Sequence, residues 1–548
     1  MTADFAIQIF TLIAFLTFSG KRLMSYLHAL QQDDYNNSRL IGWVFKHKVF
    51  DTRVTQFLLL VLGVDLFTDI PSVGLNAAVF LIFAFATYLE KDPRKASKKA
   101  FVLTARAKRI LVMSLIYVAL CAAGAFYLSH TILWIVAVQL LPLLLILGNA
   151  TLAPYEASIQ KMYMKEAKAK LEELSPIVIG ITGSYGKTSI KHILGHILKA
   201  GAPTLVTPGS VNTLMGITRI IREQLEPNHK YLIVEMGAYG PGSIAALCNL
   251  TPPNYGIISS IGHAHYERFK SLETVVHAKY ELAQSVLARN GTVIVHERTL
   301  KFEHSRNIRN KNMDNFIVCG EPMQTNTPKN DQEFSYLAPD DLNIMSVEQT
   351  PKGICVNVEW KNEKYTLRAP LYGIHHGHNI ALAFACAMSL GMNAKDIKTA
   401  LASTPQIKHR LEVKQHVDGS MIIDDAFNSN PPGFRSALHV MRVLADHTNG
   451  RGILVTPGIV ELGEAHDEVH RTLGHLAAEV CDIIIIVSPS RIPTFFEGFN
   501  ANNKNGVVIQ QFETFESAEK WLIENKRPKD IILLENDLPD IYERVLKI

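Results

Sequence analysis

Five apolar runs crowd the first 150 residues, at roughly 4–19, 54–70, 73–89, 110–128 and 131–149. A helix needs about 20 apolar residues to cross the hydrocarbon core of a bilayer, within a range of about 17–25. The last three runs meet that length. The first lies almost at the chain's start. It lacks the basic opening and small-residue cleavage site of a secretory leader, so it reads as an anchor. The second carries Asp65 and Asp69 and reads as a span, with a re-entrant or interfacial helix as the alternative. Asp65 is then either a functional acid inside a span, where burial is costly, or an acid near a helix end.

Charge gives this region an orientation. The whole chain carries 55 Lys/Arg against 51 Asp/Glu, yet residues 1–150 hold 14 basic and 8 acidic side chains. The basic excess therefore lies entirely in the most hydrophobic quarter. Loop 20–53 contains Lys21, Arg22, Arg39, Lys46, Lys48 and Arg53. Loop 90–109 contains Lys91, Arg94, Lys95, Lys98, Lys99, Arg106, Lys108 and Arg109. Basic loops beside spans face the cytoplasm. The tight, uncharged connections near Pro71–Gly74 and at Ser129–His130 suit the outer face. Five spans then put the N-terminus outside and everything beyond residue 150 in the cytoplasm, on a multi-pass protein of the cytoplasmic membrane. Trp134 and Tyr127 fall near the outer interface, where such rings concentrate. The basic loops read as contacts for anionic membrane lipids rather than a nucleic-acid patch, and the net charge of +4 argues against a nucleic-acid partner. Six scattered cysteines with no C-x-x-C pair read as reduced, mostly buried thiols.

Residues 154–174 read as a polar helical connector ended by Ser175-Pro176. An apolar strand follows over 176–182. It runs into Gly183-Ser184-Tyr185-Gly186-Lys187-Thr188-Ser189 and then a helix to about Lys199. Strand, glycine turn, Gly-Lys-Thr and helix is an arrangement that holds nucleotide phosphates. The glycines let backbone N–H groups approach phosphate oxygens, and the helix N-terminus adds positive charge. Lys187 neutralises the β- and γ-phosphates, and the Thr188 hydroxyl reaches Mg²⁺. The longer pattern G-x-x-x-x-G-K-[ST] is not met, because position 181 is Ile. A second strand, 231–235, ends in Glu235, an oxygen ligand of the kind magnesium prefers. A third leads to His263 and His265, and Lys279 and Glu281 follow. All lie at the carboxyl ends of successive strands, where open α/β sheets bind ligands.

These motifs resemble the Mur ligases, ATP-dependent amide-bond ligases that build the peptidoglycan stem peptide. The resemblance rests on Gly183-Ser-Tyr-Gly-Lys-Thr, Glu235-Met-Gly, Ala264-His265 and Ala278-Lys279-x-Glu281. It continues with Gly373-x-His375-x-x-x-Asn379, His409-Arg410-Leu-Glu412, Asp424-Asp425-Ala-Phe427-Asn428 and Glu461-Leu-Gly463, with His470 downstream. It spans about 175–548. It implies that Gly183, Ser184, Tyr185, Gly186, Lys187, Thr188 and Ser189 bind ATP phosphates. Thr188 and Glu235 would hold one Mg²⁺, and His265 and a carbamylated Lys279 a second. Asn379 would contact adenine, Arg410 phosphate and Asp425 ribose. Asn212 would stand beside the acceptor. The sequence departs from the family at Phe427, where a tyrosine is usual, and at Pro457-Gly458-Ile459. It departs further in having apolar runs where a soluble domain holding the UDP end of the substrate is usual.

The expected fold is an α-helical membrane domain followed by α/β: a P-loop Mur-ligase central domain and a Rossmann-like C-terminal domain. The expected boundaries are 1–150 for the membrane domain with about five transmembrane helices, 151–174 for the connector, 175–406 for the central ATP-binding domain and 407–548 for the C-terminal domain. Strands are expected at 316–319, 354–360, 421–425, 452–456, 482–487, 507–511 and 530–534, alternating with helices as in a parallel sheet. The implied reaction joins a small amino acid or dipeptide to a muropeptide or lipid-linked acceptor through an acyl phosphate. The same chemistry on a polyglutamate-type chain, or an ATPase coupled to export, are the competing readings.

Overall fold

The structure is a computed structural model. It describes residues 3–536 apart from 33–34, 47–49, 69, 91, 93–100, 129, 263–268, 270, 321–336, 339–340, 427–428, 461 and 504–505. The chain forms two compact units, one of the described residues up to Met162 and the other from Tyr163 onward.

The first unit is helical. Its helices are Ala3–Gln32, Asn37–Lys46, Arg53–Phe67, Ser72–Leu89, Ala105–Leu128 and the start of Thr131–Leu174. Among the described residues, four helices are long and apolar enough to cross a membrane: Asp4–Gln32, Ser72–Leu89, Ala105–Leu128 and Thr131–Leu174. The expected fifth span is shorter than its apolar run. Arg53–Phe67 has 15 residues, a rise of about 22 Å against a hydrocarbon core of about 30 Å. The Thr68 N–H bonds the Val64 carbonyl as the chain turns extended. Asp65 lies exposed in the last turn of this helix, which favours the helix-end reading. Trp134 is buried, its ring 5.1 Å from Phe15 and 5.8 Å from Phe83; it faces protein, whereas Tyr127 is exposed. Arg22 is buried with both Asp51 (2.6 Å) and Glu90 (2.9 Å) as partners. A buried guanidinium needs such pairing.

The boundary expected at residue 150 is not a break in the backbone. One helix of 44 residues runs from Thr131 to Leu174. The composition changes from apolar to polar along it, and Ala, Lys, Glu and Leu continue the helix through the change. It ends where Ser175 takes φ 43° ahead of Pro176.

The second unit is α/β and contains two sheets. In the first, β1 (Ile177–Thr182), β2 (Thr204–Val206), β3 (Tyr231–Glu235), β4 (Tyr255–Ile258), β5 (Thr292–His296) and β6 (Phe316–Cys319) pair in parallel. An antiparallel ribbon of β7 (Leu342–Thr350), β8 (Gly353–Trp360) and β9 (Glu363–Ala369) extends the edge beside β6. The order is β2-β3-β1-β4-β5-β6-β7-β8-β9. The second sheet has β10 (Glu412–Gln415), β11 (Met421–Asp425), β12 (Gly452–Thr456), β13 (Ile483–Val487), β14 (Val508–Phe512) and β15 (Ile531–Glu535) in the order β10-β11-β15-β12-β13-β14. It is parallel except for β10.

These elements follow from sequence. Strands such as Ile-Val-Ile-Gly-Ile-Thr are apolar on both faces because helices cover both faces of the sheet. The Lys187–Gly201 helix buries Ile190, Ile193, Leu194, Ile197 and Leu198, a stripe at three- and four-residue spacing. Each such side chain contributes about 1.5–3 kcal/mol on burial. Its last turn stops before Pro203. The Pro431–Thr448 helix starts on Asn430, whose side chain accepts the Gly433 N–H at 3.0 Å, and ends on Asn449 at φ 51°; both ends use residues suited to their caps.

Candidate active site

β1 is flanked by β3 and β4, with Ile181 paired to both Glu235 and Ile257. After β1 the chain runs to β2 and β3 on one side and then crosses to β4 on the other, so the order reverses beside β1, where open α/β sheets bind ligands at the strands' carboxyl ends. The turn after β1 is held tightly. Ser184 N–H bonds the Ser260 carbonyl at 2.7 Å, and the Ser184 hydroxyl bonds the Gly262 carbonyl at 3.0 Å. Tyr185 N–H bonds the Ser260 hydroxyl at 3.2 Å, and the Tyr185 ring packs against Gly262. Burial raises the Tyr185 phenol above its usual range. Gly186 sits at φ 82° as the helix cap, and a Cβ there would stand 2.5 Å from Asn379 Oδ1. That contact brings Asn379, from the His376–Ser389 helix, onto the phosphate turn. Gly186→Ala therefore meets both a left-handed backbone and a clash. The expected result is a loss of about 1–2 kcal/mol of stability and an even larger loss of nucleotide affinity, checked by thermal melting and ADP titration.

Lys187 folds back over the turn. Its Nζ donates to the carbonyls of Gly183 (2.8 Å) and Ser184 (3.4 Å). Desolvation and the nearby Arg410 hold its pKa below the ordinary lysine value, against the pull of Glu235. Thr188 donates its hydroxyl to Glu235 Oε2 at 3.0 Å. Ser189 is buried in the first helical turn. Glu235 is 1 % exposed, and Asn212 Nδ2 donates to its Oε1 at 3.3 Å. The Tyr239 hydroxyl in turn donates to Asn212 Oδ1 at 3.1 Å. Lys279 is buried on the Leu272–Leu287 helix. Burial and the like charge of Lys187 push its amine well below the usual range. Glu281 binds elsewhere: its carboxylate accepts the N–H groups of Gly242 (2.6 Å) and Ala245 (2.9 Å) at the start of the Ser243–Leu250 helix. His263 and His265 lie outside the described residues, as do Phe427, Asn428 and Glu461.

Lys191, which no sequence motif singles out, also belongs to this cluster. It is 3 % exposed, and its Nζ lies 2.9 Å from Glu235 Oε2 and 2.5 Å from the Gly209 carbonyl. Its position three residues beyond Thr188 puts both on one helix face, and that spacing was the available signal. His470 is buried as a structural group. It accepts the Ile459 N–H on Nε2 (3.0 Å) and engages the His466 carbonyl through Nδ1 (2.7 Å). Burial lowers its pKa to about 4, so it remains neutral and pins the loop at Gly458-Ile459.

The second sheet supplies Arg410 and Asp425. His409 and Leu411, flanking Arg410, both have positive φ, 58° and 49°. Two such non-glycine residues store strain of a kind that clusters at functional sites. The loop is held because Asp425 Oδ1 accepts the Leu411 N–H at 3.2 Å. The Arg410 guanidinium is desolvated and interacts with both Glu235 and Asp425. His409, Glu412 and Asp424 gather nearby, but Lys414 stands 2.9 Å from Asp424 and 3.2 Å from Glu412 and supplies the positive charge there. Lys187, Thr188, Glu235, Lys279, Asn212, Asn379, Arg410 and Asp425 thus converge from both sheets. A buried carboxylate beside a hydroxyl is a hard oxygen donor set of the kind magnesium takes, and Lys191, paired with Glu235 Oε2 here, would share that carboxylate with the ion. The unmodified Lys279 ammonium is a hydrogen-bond donor only and cannot ligate a cation.

Residues 181–387 match the family model of the Mur ligase middle domain, and residues 409–535 that of the Mur ligase glutamate ligase domain. The UDP-N-acetylmuramoyl-tripeptide–D-alanyl-D-alanine ligase of Mycobacterium leprae is 28% identical over 408 residues, covering 69% of this chain and 75% of that protein. The enzyme of the same name from Buchnera aphidicola (subsp. Acyrthosiphon pisum) is 31% identical over 314 residues, covering 57% of this chain and 63% of that one. The crystal structure of MurF from Acinetobacter baumannii aligns with a TM-score of 0.57 at 27% identity, covering 69% of this chain and 77% of that one. Mur ligases are amide-bond ligases that use ATP and Mg²⁺. With its middle and C-terminal domains matched in order, the chain belongs to the Mur ligase family.

Proposed function

We propose that the protein is a membrane-anchored, MurF-like ligase at the cytoplasmic face. It would join the amine of a D-alanyl-D-alanine-type dipeptide to the terminal carboxylate of a UDP-linked muropeptide. In this reading residues 1–150 form the membrane domain, 151–174 the connector, 175–406 the ATP-binding domain and 407–548 the C-terminal domain. The observation that carries the chemistry is the convergence of Lys187, Thr188, Glu235 and Lys279 at the ends of β1 and β3. The relatives' names support the substrate class, and the four long apolar helices support the anchoring.

The substrate carboxylate attacks the γ-phosphorus of ATP. An O–P bond forms, the bridging O–P bond breaks and ADP leaves. The amine then attacks the acyl carbon, the C–O bond breaks, and phosphate departs as the amine loses a proton. Phosphoryl transfer of this kind relies on positioning and charge neutralisation. The Gly183–Gly186 turn and helix N-terminus cradle the phosphates with backbone N–H groups, and Lys187 turns from the loop carbonyls onto them. Arg410 adds a second positive charge, Asn379 meets adenine, and Asp425 accepts from the ribose. Thr188 and Glu235 would hold magnesium, which supplies neutralising charge to the phosphate oxygens. Lys279, whose burial beside Lys187 favours the neutral amine, suits attack on CO₂: its N–C bond forms, a proton leaves, and the resulting carbamate is a carboxylate on a long arm. With His265 it would hold a second magnesium. Asn212, oriented by Tyr239, faces the acceptor side.

The test is ADP release by the purified full chain. Release should require both the UDP-muropeptide and the dipeptide, with one amide product per ADP. ATP turnover indifferent to both would overturn ligation and favour an export-coupled ATPase.

A further inference from the structure

The last strand of the second sheet ends in an acid that no sequence motif singles out. Glu535 on β15 is the register partner of Asp425 on β11, and the two strands run parallel. Both side chains therefore emerge at the same end of the sheet. Glu535 is 0 % exposed. Its Oε1 accepts the Ser429 hydroxyl at 2.5 Å, while its Oε2 is buried without a conventional hydrogen-bond donor, and across the strand pair its carboxyl interacts with that of Asp425. Two carboxylates cannot hydrogen-bond each other, so such a pair must share a proton. Their environments decide which acid holds it. Asp425 has the Leu411 N–H on Oδ1 and Arg410 nearby, both favouring the charged form. Glu535 has only a hydroxyl and the deeper burial.

We propose that Glu535 is a positioning residue for the nucleotide: it carries the pair's proton, donates it to Asp425, and so fixes the carboxylate that braces the strained Arg410 loop and accepts from the ribose. Through Ser429 it also ties the start of the segment leading to the Asn430 helix cap. This inference rests on the reading of Asp425 as a nucleotide contact. Burial pushes Glu535 well above the usual carboxylate range and Asp425 up to about 6. Arg410 and Asp424 also act on the pair, and Asp424 is itself held low, against its burial, by Lys414 and His409.

The experiment is ADP affinity of the full chain against pH for wild type, Glu535→Gln, Glu535→Ala and Asp425→Ala, each with a melting curve. In the wild type, affinity should fall below about pH 6 as Asp425 takes up a proton, and fall again at alkaline pH as Glu535 loses its own and two carboxylates repel. Glu535→Gln keeps a donor and has no proton to lose. It should match wild type at pH 7, retain the acid limb and lose the alkaline one. Glu535→Ala should bind about tenfold more weakly, with its acid limb moved upward. If Glu535→Ala binds like wild type, or Glu535→Gln keeps the alkaline limb, the inference is overturned. If Asp425→Ala leaves ADP affinity unchanged, the ribose reading itself falls. Weakening in Asp425→Ala but in neither Glu535 variant removes only the role of Glu535.

Discussion

Lys187→Ala is expected to abolish ATP turnover while leaving the fold intact. The side chain packs against its own turn, donating to Gly183 and Ser184 carbonyls, so its loss costs the folded state little more than a hydrogen bond, about 1 kcal/mol. Its loss from the reaction is far larger. Removing one preorganised donor aimed at developing charge typically costs about 10²–10³-fold in rate, and here the donor is also a full positive charge. Lys187→Arg should fail nearly as badly, because a planar fork does not fit a place shaped for a point charge. The measurement is steady-state ADP release with melting curves for each variant. Turnover within tenfold of wild type in the alanine variant would remove Lys187 from the phosphate site.

Lys279→Ala is expected to lose activity to a similar extent, for a different reason. Lys279 lies buried beside the like charge of Lys187, an arrangement that disfavours an ammonium and favours the neutral amine. If the amine is carbamylated, native wild-type protein carries the added mass of one CO₂. Its activity rises with bicarbonate at fixed pH. It falls as pH drops, because protonation of the amine competes with carbamate and returns the side chain to a cation. Short carboxylates such as acetate should restore part of the activity of Lys279→Ala, since they supply the oxygen ligand the variant lacks. A fully active Lys279→Ala together with a wild type lacking the added mass would end the carbamate reading.

Much of the candidate site around the turn after β1 was legible because its signals are local. An apolar strand, two glycines, a lysine and a helix stand within two dozen residues, and each is dictated by its own backbone requirement. Gly183 is an example: at φ 152°, a Cβ there would lie 1.8 Å from Ser259 Oγ. Lys191 and Glu535 were harder to see. Each becomes significant through a partner distant in the chain, Glu235 at the end of β3 and Asp425 across a strand pair; the spacing of Lys191 from Thr188 is its one local cue, and Glu535 has none. The helical unit shows the opposite error. Its apolar runs were visible, but composition does not report where a helix stops. Arg53–Phe67 ended early, and Thr131–Leu174 ran on past Pro142 and Pro154.

The cysteines described above have a practical consequence. Cys248, Cys319, Cys386 and Cys481 are sealed in the interior of the α/β unit, and burial suppresses their thiolates, Cys248 to a pKa of about 11. Only Cys121 and Cys355 are partly accessible. Electrophilic dyes attack thiolates, so the background in the native polypeptide comes from Cys121 and Cys355. With Cys121 and Cys355 replaced, a single engineered cysteine at exposed Ser210, beside the Gly209 carbonyl that Lys191 grips, becomes an optical reporter of how that loop responds when a triphosphate arrives.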